Sequence, residues 1–166
     1  MTAAATEVGE ETSPLDVIEQ IVAAKDWAFD RPNDDEMAVQ LPGQWSDLNF
    51  YAAWDPHLSA MQFTVSLQMR VPHAKRAAVF ELLALANEKV WMGHFAVWRE
   101  DGLLVYRHAL PLRGSNGPSH AQIEDLIETA IRECERFYPA FQYVIWAGHA
   151  AEDAMAGAMI ETVGEA

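Results

Sequence analysis

Apolar residues in this chain recur with periods of about 3.6 and 2 residues, and the switches between the two periods divide it into elements. Leu15, Ile18, Ile21 and Val22 form one helical stripe. Ser13 stands as N-cap, Pro14 at the first helical position and Asp16 in the first turn, so a first helix is expected to about Lys25. RPNDDE reads as a turn, and Met37, Val39 and Leu41 alternate with polar neighbours as a short strand closed by Pro42-Gly43. Leu48, Phe50, Ala52 and Trp54 alternate next, followed after Asp55-Pro56-His57-Leu58 by Met61, Phe63, Val65, Leu67 and Met69. Pairing Trp54 with Ser59 sets Ala52 against Met61, Phe50 against Phe63 and Leu48 against Val65. Both apolar sets then share one face, and the other face is wet.

A second helix is expected from about Pro72 to Val90 on the stripe Val79, Leu82, Leu83, Ala86 and Val90. A second hairpin follows over residues 92–110, and Asp101-Gly102 suits a two-residue type I′ turn. That register sets Trp98 against Val105, Val97 against Tyr106 and Phe95 against His108, with His94 and Arg107 as diagonal neighbours. Ser119 and Gln122 then form a capping box for a third helix, whose stripe runs Ile123, Leu126, Ile127, Ala130, Cys134 and Phe137. Pro139 is expected to end or kink it, leaving FQYVIWAG as a short buried helix. Residues 149–166 are an Ala/Met/Glu-rich tail, with Met155, Met159 and Val163 along one side of a weak helix. Residues 1–12 lack periodicity and are expected to be a disordered lead-in. The order α-β-β-β-α-β-β-α over residues 13–148 predicts one α+β domain, with a mainly antiparallel five-stranded sheet and helices packed on it.

The second hairpin differs from the first in being apolar on both faces. Phe95, Val97, Leu104, Tyr106 and Leu110 lie on one side, and Met92, Trp98, Leu103, Val105 and Ala109 on the other. One face belongs to the core. The other must be covered by the C-terminal segment, a second subunit or a partner, which makes Trp98, Leu103, Val105, Tyr106, Met155 and Met159 interface candidates.

Charge narrows the partner. The 25 acids against 11 bases leave a net charge of −14, which repels phosphate backbones and anionic membrane surfaces, so neither nucleic acid nor a membrane is expected. The single cysteine allows no internal disulfide, the N-terminus has neither a basic segment nor an apolar run, and no window is apolar enough for a membrane span. A cytoplasmic location is expected.

Candidate chemistry is sparse. Cys134 falls on an apolar stripe and reads as a small core hydrophobe. The histidines at 57, 73, 94, 108, 120 and 149 show no metal-ligand spacing. Gly114-Ser115-Asn116-Gly117 lacks the P-loop Lys, there is no G-x-S-x-G, and capping explains Ser119. No catalytic, cofactor-binding or metal-binding residue is assigned.

Set in order, V-P-x-x-K-R at residues 71–76, E-L-L at 81–83, Asn87, G-x-F at 93–95, G-x-x-x-Y-R at 102–107 and L-P-L at 110–112 carry a resemblance. The chain resembles the YbjN family of bacterial sensory transduction regulators. The resemblance implies a fold similar to type III secretion chaperones, which are small, acidic, usually dimeric proteins that hold segments of partners. It carries no catalytic residues. The expected function is therefore a non-enzymatic regulatory or chaperone-like domain that binds a protein partner or itself as a homodimer. The alternative is a ligand-binding domain or small enzyme with a site on the 92–110 hairpin, built from His94, Arg107 and neighbouring acids.

Overall fold

The computed structural model describes residues 13–163, with side chains to residue 160; the expected lead-in at 1–12 and the side chain of Val163 lie outside the described residues. Its elements are α1 (Pro14–Ala24), β1 (Phe29–Asn33), β2 (Glu36–Leu41), β3 (Leu48–Asp55), β4 (Ala60–Arg70), α2 (Arg76–Lys89), β5 (His94–Val97), β6 (Leu103–Pro111), α3 (His120–Ile145) and α4 (Ala151–Val163). The strands form one antiparallel sheet in the order β1-β2-β3-β4-β6-β5. Helices α1, α2 and α3 pack on one face of it, and α4 packs on α2 and α3. The α+β architecture is as expected.

The sheet has six strands rather than five. The strand missed was β1, whose sequence FDRPN has no alternating apolar pattern because the strand lies at the sheet edge with both faces largely exposed. Pro32 falls within the irregularity between Asp30 and Asn33, a position an edge strand tolerates. Arg31 fastens this edge to α1 through Asp16 at 2.7 Å and Glu19 at 2.6 Å.

Both hairpins keep the expected faces but slip by two residues. Trp54 pairs with Met61 and Phe50 with Val65 in the first; Phe95 pairs with Tyr106 and Val97 with Leu104 in the second. Each loop holds four residues and ends on a left-handed residue, Ser59 at φ 48° and Gly102 at φ 71°. Asp55 Oδ1 accepts hydrogen bonds from the amides of His57 and Leu58 at 2.9 and 3.2 Å and draws its own residue into the strand. In the second loop Gly102 N–H donates to the Trp98 carbonyl at 2.8 Å and Trp98 N–H to Leu103 at 2.9 Å, so the turn is wider than a two-residue I′ turn. A slip of two preserves side-chain parity, and the division into a core face and an open face survives.

Helix α3 runs unbroken through Pro139, contrary to the expected end or kink, and absorbs most of the expected short buried helix. A proline there removes one backbone hydrogen bond and costs about 3 kcal/mol in an isolated helix. Here Phe137, Ala140, Phe141 and Val144 around it are all fully buried, and burying two such aromatic side chains contributes more than that.

Candidate interaction face

The core side of the second hairpin is filled by the chain itself. Phe95 meets Tyr106, Phe137 and Phe141 with ring centroids 5.4, 5.5 and 5.4 Å apart. Tyr106 is fully buried and its hydroxyl donates to the Met92 carbonyl. Burial pushes the Tyr106 phenol up, with the neighbouring Cys134 and Glu133 adding to it. Gly93, at φ 73°, passes directly over that hydroxyl, where any side chain would collide. Cys134 lies beneath in the same core, and burial raises its thiol well above the usual range.

On the open side, His94 stands directly opposite Arg107, and Ala96 opposite Val105. The pair is therefore closer than the diagonal placement expected from the sequence. Trp98 N–H bonds Leu103 at 2.9 Å, which sets Trp98 one rung below Val105 and two below Arg107. The Arg107 guanidinium nevertheless lies 4.9 Å from the centre of the Trp98 ring. The two side chains can meet only above Val105, which is 0% exposed although it points away from the core. A ring and a guanidinium of this chain thus cover the centre of the second face.

The six interface candidates accordingly separate. Tyr106 and Val105 are covered by the chain's own atoms, and Met155 is buried in the helical layer. Met159 is half-buried beside Arg136, whose Nη2 lies 3.8 Å from its sulfur. Trp98, at 39% exposed, and the half-buried Leu103 retain surface on the open face. The acids expected beside His94 and Arg107 stay at the hairpin tip, where Asp101 pairs with Arg70 at 3.4 Å. His108 points to the core side against Phe63 at 5.8 Å; burial, then the nearby His94, lowers its pKa. Among the described residues no three His, Cys, Asp or Glu side chains converge as metal ligands.

Several of the residues that carry the family resemblance tie α2 and its approach to the second hairpin. Val71 N–H donates to the Gly102 carbonyl at 2.8 Å, and Arg76 Nη1 donates to the Arg99 carbonyl at 2.8 Å, locking the start of α2 to the hairpin tip. A Cβ on Gly102 would sit 2.7 Å from the Val71 oxygen. Asn87 does more: its Nδ2 donates to the Phe95 carbonyl at 3.0 Å and its Oδ1 accepts from the Phe95 amide at 2.7 Å. It thereby acts as a one-residue surrogate strand on the outer edge of β5. Sequence reasoning found Asn87 as a motif position but not this role. The only local signal was an amide placed four residues after Leu83, along a helix side that is otherwise apolar.

A family model described as "Putative bacterial sensory transduction regulator" matches residues 14–143. No curated protein matches the chain. Among solved structures the chain is similar to one described as "YbjN, a putative transcription regulator from E. coli", at 13% identity, over 73% of this chain and 85% of that one, with a TM-score of 0.52. At that identity the likeness is one of fold.

Proposed function

Since the chain belongs to the YbjN family, we propose that it is a regulatory protein-binding domain, non-enzymatic, that engages a protein partner or a second copy of itself through the open face of its sheet. The observation that carries this reading is the sheet's one-sided cover. The helices take one face, while the other presents Trp98, 39% exposed beside Arg107, and Tyr51, 43% exposed two strands away with its hydroxyl on Glu36. Exposed aromatics and arginine are the side chains that dominate protein interfaces.

Strand addition at the β5 edge is opposed by the groups already bonded there. Asn87 already occupies the Phe95 N–H and C=O that an added strand needs, so docking by face rather than by strand addition is favoured. The type III secretion chaperone likeness belongs to the same proposal, because a layer of helices behind an uncovered sheet is a scaffold for holding a partner segment. The charge of −14 supports a protein partner over nucleic acid. No helix among the described residues is long and apolar enough to cross a membrane, and a cytoplasmic setting fits the lone thiol.

The experiment that tests the proposal combines light scattering with affinity capture from the native host, using wild type and Trp98→Ala. A dimer or a defined partner complex that Trp98→Ala weakens is the expected result. A strict monomer that retains nothing counts against it.

A further inference from the structure

The 25 acids of this chain are distributed unevenly: no Asp or Glu occurs in β4, β5 or β6. The half of the open face made by these strands presents Thr64 and Ser66, Val105 and Arg107, and His94 and Ala96, on three adjacent strands. Within that area, whose strands carry no carboxylate, sits a half-buried arginine without a hydrogen-bonding partner among the described residues, whereas the other arginines are either paired or, as with Arg99, Arg113 and Arg132, exposed to water. Arg31 holds Asp16 and Glu19, Arg70 holds Asp101, Arg136 faces Glu133, and Arg76 donates to a backbone carbonyl. Half-buried Arg107 makes no hydrogen bond and no ion pair with any described residue. Its guanidinium carbon lies over the Trp98 ring, 4.9 Å from the ring centre.

Stacking uses the flat side of a guanidinium and leaves its in-plane N–H groups free. It also fixes the direction of those donors at little further entropic cost. A guanidinium so held, with Thr64 on one neighbouring strand and His94 on the other, is arranged to take a carboxylate through paired charge-assisted hydrogen bonds. An extended polypeptide fits such a face better than a small acid does. The surface is the face of three adjacent strands, and small ligands need a concavity to bury them. The chain's overall negative charge opposes an acidic partner at long range. That field is screened beyond about 8 Å at physiological ionic strength, so the local surroundings of Arg107 decide.

We propose that Arg107, braced by Trp98 and flanked by His94 and Thr64, anchors a carboxylate of an acidic, extended segment of a partner protein laid across β4, β6 and β5. This deepens, and rests on, the reading of the open face as a docking surface.

The test uses the full chain, isotope-labelled for NMR. The probe is a ten-residue peptide alternating Glu and Thr, which in extended form puts every carboxylate on one side. Its counterpart with Gln at each Glu position and free glutarate serve as comparisons. The expected result is saturable shifts at the Trp98 indole and the β6 amides with the Glu peptide, and binding at least tenfold weaker for the Gln peptide and for glutarate. Arg107→Gln should weaken the Glu peptide at least tenfold while its spectrum stays folded, and Trp98→Phe should retain more binding than Trp98→Ala. The proposal is overturned if none of the probes shifts these signals, or if the Gln peptide binds as well as the Glu peptide. Equal binding of glutarate would make this a small-anion site and overturn the docking. So would concentration-dependent shifts without peptide, which place a second copy on the face. A captured partner that binds wild type and Arg107→Gln alike sinks this inference but leaves the regulatory reading intact, whereas a chain with no partner at all sinks the reading itself.

Discussion

Replacing Asn87 by Ala tests the most specific structural role found in this chain. The substitution removes two hydrogen bonds, at 2.7 and 3.0 Å, and strands the amide and carbonyl of Phe95 at a partly buried sheet edge. Each bond contributes about 0.5–1.5 kcal/mol net, and an unsatisfied backbone group costs about 1–3 kcal/mol where water cannot replace the partner. Because the site is only part-buried, water recovers some of that, and the expected loss is about 2–3 kcal/mol. Against a total stability of about 5–15 kcal/mol this is large. With a urea slope of about 2 kcal/mol/M, the unfolding midpoint should fall by about 1–1.5 M. Hydrogen exchange at the Phe95 amide should accelerate by a matching factor. Asn87→Asp adds a control: it keeps an acceptor for the Phe95 amide but sets a carboxylate oxygen against the Phe95 carbonyl, so it should be no more stable than Asn87→Ala. The variants should also self-associate at high concentration, because a free β5 edge is a template for another strand. A midpoint within about 0.2 M of wild type, with the Phe95 amide still protected, would refute the reasoning.

Three further perturbations follow from the same geometry. Gly102→Ala forces a side chain into the left-handed region at φ 71° and 2.7 Å from the Val71 oxygen, and chemical denaturation should register a loss of about 2–4 kcal/mol; a loss below about 1 kcal/mol would mean the hairpin tip is not locked to α2. Glu133 is 5% exposed, and burial raises its carboxyl above the usual range, against the opposing charges of Arg136 and Arg132. A folded-state pKa above the unfolded one means the charged form destabilises, so Glu133→Gln should gain up to about 1 kcal/mol at neutral pH, or about 2–4 °C in Tm. That gain should vanish as pH falls through the ordinary carboxylate range, and a gain that persists there would contradict the burial argument. Cys134 is fully buried, with its thiol pushed up, so iodoacetamide should modify it only as fast as the protein unfolds; rapid stoichiometric labelling of the folded protein would contradict its place in the core.

The fold was legible where a buried face repeats with a regular period. β2, β3, β4 and the stripe of α3 each alternate or recur against the same core, and their apolar positions define them. β1 was not legible because an exposed edge strand has no such face to reveal, and its proline argues for a turn. The two-residue slips of both hairpins arose because loop geometry depends on small polar contacts, such as Asp55 Oδ1 with two amides, that leave little trace in an apolar pattern. Pro139 was read from its local cost, whereas the packing of a 26-residue helix against the sheet decided the outcome.

The interface candidates show the same division more sharply. Two apolar faces on the second hairpin implied that something must cover the second one, and for Val105 the cover is Trp98 and Arg107 of the same chain. An arginine had been counted as a polar candidate, yet its stem and flat face can shield an apolar residue as well as a hydrocarbon can. Several of the residues that carry the family resemblance, namely Val71, Arg76, Asn87, Gly93, Gly102 and Tyr106, hold the hairpin and its approach from α2 together. They account for how this fold is held together and leave its activity unspecified. Arg107 stands apart: it ends the G-x-x-x-Y-R stretch, lies on the open face, and has its hydrogen-bonding edge unspent. A motif residue whose hydrogen-bonding groups have no partner among the described residues, on the face the helices leave open, is the place where fold and function separate in this chain, and Arg107→Gln is therefore expected to cost binding at least tenfold while the lost contact with Trp98 costs only about 0.5–1 kcal/mol of stability.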